Sequence, residues 1–129
     1  MFGIGKNQGH MALSELKEGE IPSVPVDLND EDFDKVLKKY PLVVVDFWAS
    51  WCMPCRMMSP VMASLAEEYS GKVLFTKIST EHNKKVAMRH HVSGIPTVMF
   101  FKNGKLVDKM VGAAPKDYLK ALVDKNFGM

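Results

Sequence analysis

The run Leu42-Val43-Val44-Val45-Asp46-Phe47 has almost no side to turn towards water. A strand that alternates apolar and polar residues covers one face of a sheet, whereas a near-continuous β-branched run must be covered on both. The chain therefore needs helices on the two faces of a sheet, and its punctuation provides them. Leu28-Asn29-Asp30-Glu31-Asp32-Phe33 reads as a helix start, with Asn29 as N-cap, Asp32 adding first-turn negative charge and Leu28 stapling onto Phe33. That helix should run to about Lys39 and stop before Pro41. A longer helix should begin at the cysteines, because Pro54 is tolerated only in a first turn; Met58, Val61, Met62, Leu65 and Ala66 form its apolar face, and Pro60 predicts a kink.

Val73 to Ile78 and Thr97 to Phe101 read as further core strands, with a short helix from Glu81 to about His90 between them. Asn103-Gly104 is a strong hairpin signal and pairs Lys105 to Val111 antiparallel with Thr97 to Phe101. Pro115 to Lys125 closes the chain as a helix, with Pro115 near its first position. With a short extended segment bracketed by Pro22 and Pro25, the order is β-α-β-α-β-α-β-β-α. The expected fold is α/β, a central mixed sheet with helices on both faces.

Composition narrows the function classes. The chain has 129 residues, enough for one core without disulfide staples, and its 17 Lys and Arg against 15 Asp and Glu argue against a polyanion such as nucleic acid as partner. No apolar stretch approaches the roughly 20 residues of a membrane span. Residues 1–20 are polar and Gly-bearing, with at most one helical turn around Leu13 to Leu16, and are read as a flexible or partly helical extension to a domain over 21–129. Whether Met1 or Met11 is the natural start stays open. Met1 to His10 lacks the apolar core of about 7–15 residues that a secretory signal needs, so a cytoplasmic protein is expected; a chain this small without an obvious coiled coil is expected to be a monomer.

Both cysteines lie within four positions, Cys52-Met53-Pro54-Cys55. A bridge across two residues closes too small a loop to remove much unfolded-state entropy, so the pair reads as chemistry. Cys52 sits at the mouth of a helix, where unpaired N–H groups and the positive dipole end favour a thiolate. It is the candidate attacking thiol; Cys55, one turn deeper, is placed to resolve the mixed disulfide. A zinc site is disfavoured, because His82, His90 and His91 lack the spacing to complete it, and no metal is expected. The histidines are read as solvated helix-end residues, and Arg56 as solvated charge.

From about residue 22 to residue 125 the sequence resembles the thioredoxin family. The resemblance rests on Asp46-Phe47-Trp48-Ala49-Ser50-Trp51-Cys52-Met53-Pro54-Cys55-Arg56, on Pro60, on Gly94-Ile95-Pro96-Thr97, and on Phe101-Lys102-Asn103-Gly104 and Val111-Gly112-Ala113. It implies a thioredoxin fold and a protein-disulfide reductase that needs no bound cofactor, takes electrons from a thioredoxin reductase and acts on disulfide-containing proteins. It also implies a cis bond before Pro96, exposing the Ile95 backbone to an extended substrate, with Gly94, Gly112, Trp51 and Pro54 around it. Asp46 would accept the proton of Cys55 through a water; the alternative is a structural acid paired with Lys77, which in either case tunes it. Trp51 is read as a partly exposed platform or a core residue. Met53 stands where the family usually has glycine and adds a flexible apolar side chain to the rim. The rival readings are a disulfide oxidase or isomerase of the same fold and a non-enzymatic binding module.

Overall fold

A computed structural model describes residues 10–129. Strands β1 (Met11–Ala12), β2 (Val26–Leu28), β3 (Leu42–Trp48), β4 (Leu74–Ser79), β5 (Thr97–Lys102) and β6 (Lys105–Val111) form one sheet in the order β1-β2-β4-β3-β5-β6. The first four of that order run parallel, and β5 and β6 are each antiparallel to their inner neighbour. Helices α1 (Phe33–Lys39), α2 (Met53–Glu68), α3 (Lys84–Arg89) and α4 (Lys116–Phe127) cover the two faces. The run that required double cover lies inside the sheet.

Alternation along β3 divides the core. Val43, Val45 and Phe47 pack with Phe33, Val36 and Leu37 of α1 and Val86 of α3. Val44 points the other way, among Met58, Met62 and Leu65 of α2 and Leu119, Val123 and Phe127 of α4. Met58 and Met62 are core fillers, as their helical spacing indicates. Phe33, Phe47, Phe75 and Phe100 are fully buried, each worth about 1.5–3 kcal/mol of transfer free energy, and they anchor both layers. Pro60 stands inside α2. At the hairpin tip Asn103 and Gly104 have φ of 52° and 81°, the paired positive values that a tight two-residue turn needs.

Four local readings are corrected. The strand expected between Pro22 and Pro25 lies after them: β2 is Val26–Leu28, and Leu28, read as part of a helix start, is its last residue. The segment before Pro22 does not hang outside the fold: residues 1–9 lie outside the described residues, but Met11 N–H donates to the Pro25 carbonyl at 2.8 Å, and β1 extends the sheet beyond β2. The one helical turn expected around Leu13 to Leu16 is present as a 3₁₀ turn at Leu13–Glu15, and Met11, Leu13 and Leu16 pack against the core. A two-residue strand is too short to show a period, so only its docking reveals it.

Helix α1 begins at Phe33, later than Asn29 suggested, because the Asn29 side chain accepts from Asp32 N–H at 2.8 Å and closes a preceding turn. Asp30 instead caps α3, accepting from Lys85 and Val86 N–H at 3.1 and 2.9 Å. Finally, His90 is not a solvated helix-end residue. Its ring is half-buried against Phe33 and Phe101, and burial holds it below the usual histidine range.

Candidate active site

Strand β3 delivers the chain to the helix that carries the cysteines. Cys52 takes the N-cap position of α2 in extended conformation, and its sulfur accepts from Cys55 N–H at 3.2 Å, the role a hydroxyl or carboxylate oxygen usually fills. Pro54 occupies the first turn, where its missing N–H costs no helical bond. Cys52 and Cys55 form a disulfide with Cα atoms 5.3 Å apart. Both are nearly buried, packed with Ala49, Trp48 and Ile95.

The rim around this pair is apolar and open. Trp51 is 71% exposed and Met53 62%, which decides for the platform over the core position for Trp51. Met57, one turn along α2 from Met53, is also exposed and lengthens the same apolar strip. Across from it, the Ile95–Pro96 peptide is cis and the Ile95 carbonyl lies 3.8 Å from Cys52 Sγ. Pro96 is held in turn by Gly112, whose N–H donates to its carbonyl at 2.8 Å. Gly112 has φ of +97°, a conformation that L side chains avoid, so glycine is required there. Gly94 accepts a hydrogen bond from the Thr97 hydroxyl, and a Cβ on it would make ordinary contact with Val111.

Beneath the disulfide, Asp46 is 3% exposed and its Oδ1 has no hydrogen-bond partner. It lines a cavity of about 230 Å³ with Trp48, Cys55, Arg56, Ser59 and Lys77. Burial pushes the Asp46 carboxyl up to about 7, against the opposing pull of the Lys77 charge. Asp46 and Lys77 are register partners on β3 and β4, yet the Lys77 ammonium lies over the Trp48 ring, 4.4 Å from its centroid. Lys77 acts on Asp46 through its field, and a direct structural ion pair is not the arrangement found.

Comparison with known proteins agrees with this geometry. The Thioredoxin family model matches residues 24–125. The chain belongs to the thioredoxin family. It is 41% identical over 100 residues to thioredoxin of Chlorobaculum thiosulfatiphilum, covering 77% of this chain and 93% of that one. With Thioredoxin 1 of Nostoc sp. it shares 42% identity over 105 residues, 81% of this chain and 98% of the other. Chloroplastic thioredoxin M-type of Pisum sativum is 43% identical over 99 residues, 76% of this chain and 58% of that protein. Among solved structures, a mutant thioredoxin from Halobacterium salinarum superposes with a TM-score of 0.76 at 33% identity, covering 81% of this chain and 92% of the other. The fold is the thioredoxin fold, and the protein is a thiol–disulfide oxidoreductase that reduces protein disulfides.

Two parts of this thioredoxin site were not read from the sequence. Ser59, four residues beyond Cys55, lines the Asp46 cavity, and helical spacing from Cys55 was the available signal; Arg56 lines it too while remaining exposed, in keeping with its reading as solvated charge. Glu81 accepts from Ser50 N–H at 2.8 Å and from the Ser50 hydroxyl at 3.1 Å, tethering the loop before the cysteines. Those bonds hold the Glu81 carboxyl below its usual range, and Glu81, expected to begin α3, lies before that helix, which starts at Lys84. Nothing local in the sequence marks that tether. Among the described residues no three His, Cys, Asp or Glu side chains gather as a metal site, and no helix is long and apolar enough to cross a membrane.

Proposed function

We propose that the reduced protein works by two successive thiol–disulfide exchanges with fixed roles. The Cys52 thiolate attacks one sulfur of a substrate disulfide, forms a mixed disulfide and releases the other sulfur as a thiolate. The Cys55 thiolate then attacks Cys52 Sγ, restores the Cys52–Cys55 bond and frees the second substrate thiolate. Two electrons pass from the dithiol to the substrate, and the dithiol itself stores them, so no bound cofactor is required.

The carrying observation is the Cys55 N–H aimed at Cys52 Sγ at the start of α2, because it favours negative charge on Cys52 in the reduced state. Asp46, unpartnered in the cavity it shares with Cys55, takes the Cys55 proton through water as that thiol becomes a nucleophile. An extended substrate segment pairs with the Ile95 backbone, while Trp51, Met53, Pro54, Gly94, Pro96 and Gly112 shape the platform around it. The electron donor is a thioredoxin reductase, and the work is done by the monomer in a reducing cytoplasm.

Trapping tests the roles. A Cys55→Ser protein should accumulate a mixed disulfide at Cys52, and Cys52→Ser should form none and lose turnover; a Cys52→Ser protein that still reduces disulfides would overturn the assignment. Equilibration with a glutathione series tests the direction, since about 30 mV is a tenfold change in equilibrium constant. A potential below the glutathione poise supports the reductase and its compartment. One at or above it would mean that Met53 has turned the site towards oxidation or isomerisation.

A further inference from the structure

The row of register partners through the active acid ends, at Asp27, in a side-chain contact with a residue that precedes the family domain. Asp27 on β2, Lys77 on β4 and Asp46 on β3 are successive register partners, so three charges of alternating sign cross one face of the sheet. With strands about 4.8 Å apart, Asp27 stands about 10 Å from Asp46 with Lys77 between them. On the far side, His10 Nδ1 lies 2.9 Å from Asp27 Oδ2. The matched domain begins at residue 24, so His10 belongs to the segment that precedes it.

Two cavities meet at this row. One is the Asp46–Cys55 cavity; the other, about 250 Å³, is lined by His10, Asp27, Leu28, Ser79 and Asn83 together with Trp48 and Lys77. Trp48 and Lys77 line both, so they form the partition between them. The Lys77 ammonium rests over the indole while Asp46 Oδ1 stays unpartnered, so the cation is not locked in an ion pair with Asp46. The charged groups facing the partition are Asp46 of β3, Asp27 of β2, His10, and Arg56 of α2 on the Asp46 side; Ser59, Ser79 and Asn83 add neutral polar groups.

We propose that His10 and Asp27 form a positioning pair that sets how Lys77 divides its charge between Asp27 and Asp46, and so how readily Asp46 takes up a proton. The proposal rests on the reading of Asp46 as proton acceptor. A bare Asp27 carboxylate draws the ammonium outward, away from Asp46. When His10 occupies Asp27 Oδ2, as it does here, that pull weakens and the Lys77 ammonium stays on the Trp48 ring, where its field reaches Asp46. The segment before the family domain thus reaches the proton-handling group without touching the cysteines. Because the His10 and Asp27 side chains are 39% and 41% exposed, solvent screens the effect and keeps it small.

The test is a titration of the Asp46 carboxyl by carbon-13 NMR in the reduced, full-length chain. Asp27→Asn should lower its midpoint by about one pH unit and His10→Ala should raise it, the Asp27→Asn shift being about twice the half unit that a direct charge about 10 Å away gives at an effective dielectric of about 40. In a Lys77→Met background the Asp27→Asn shift should fall to that direct half unit. Unmoved midpoints, two shifts of the same sign, or a shift undiminished by Lys77→Met would each overturn the proposal, the last by showing a direct field from Asp27. The pH profile of disulfide reduction in the same variants separates the two readings. A rate midpoint that follows the carboxyl supports both; a carboxyl that moves while the rate profile stays put upholds the pair and overturns the proton-acceptor role.

Discussion

Helix α2 ends in two polar clusters of opposite character. At its C-terminal end, Glu68 pairs with Lys116 and Lys120 of α4 at 3.0 and 2.8 Å. There Tyr69 donates its hydroxyl to Asp124 and accepts from Lys120 at 3.0 Å. Hydrogen bonds from Lys120 and then Lys116 hold the Glu68 carboxyl below its usual range. At the N-terminal end, Asp46 is buried with an unpartnered oxygen beside a disulfide, and its carboxyl sits well above its usual range. A satisfied network has one favoured protonation state and ties two helices together. An unsatisfied buried acid leaves free energy that changes when a proton arrives, which is what a group that exchanges protons needs.

Removing the unsatisfied group should have the largest effect, and a favourable one for stability. A carboxyl raised from 3.8 to about 7 destabilises the fold when ionised. Its contribution is fully present below the unfolded value and is lost as pH rises through the folded one, a loss of up to about 4 kcal/mol at about 1.4 kcal/mol per unit. Asp46→Asn should therefore raise the denaturation midpoint above pH 7 and give no gain below pH 4, while slowing disulfide reduction. Equal stability gains at pH 4 and pH 8 would show that burial of charge is not the cause.

At the satisfied end the sign reverses. Tyr69→Phe removes the bond to Asp124 and should cost about 1 kcal/mol in chemical denaturation with no change in the rate of disulfide reduction. A fall in turnover would mean that the two ends of α2 are coupled. The smallest effect belongs to the exposed rim, where Met53 lies next to Cys52 in the chain and is 62% exposed. Met53→Gly should raise KM for a protein disulfide about threefold with kcat unchanged, as expected for losing part of one apolar contact. If kcat falls instead, Met53 acts on the cysteines themselves and not on the docked substrate.

Much of the molecule was legible from local pattern. The β-branched run at Leu42, the Asn103-Gly104 turn and the prolines located every helix and strands β3 to β6, because these signals operate over a few residues; β1 and β2 were not placed. The cysteine pair and the acid in the buried strand were legible in the same way, whereas the Ile95–Pro96 loop was legible only through the resemblance to the thioredoxin family. Capping partners distant in sequence were not. Asp30 serves a helix 55 residues away, and Glu81 serves the loop before the cysteines 31 residues away.

The sequence by itself determined the layer architecture and the chemical type of the site, since both follow from periodicity and from two thiols at the start of a helix. Only the tertiary structure decided which of two readings each polar residue takes. Asp46 became an unpartnered acid and not half of an ion pair because Lys77 settled on the Trp48 ring. His10 entered the row leading to Asp46 because β1 docked on β2. Both outcomes depend on packing between strands distant in the chain, where register and burial set the distances that local sequence leaves free.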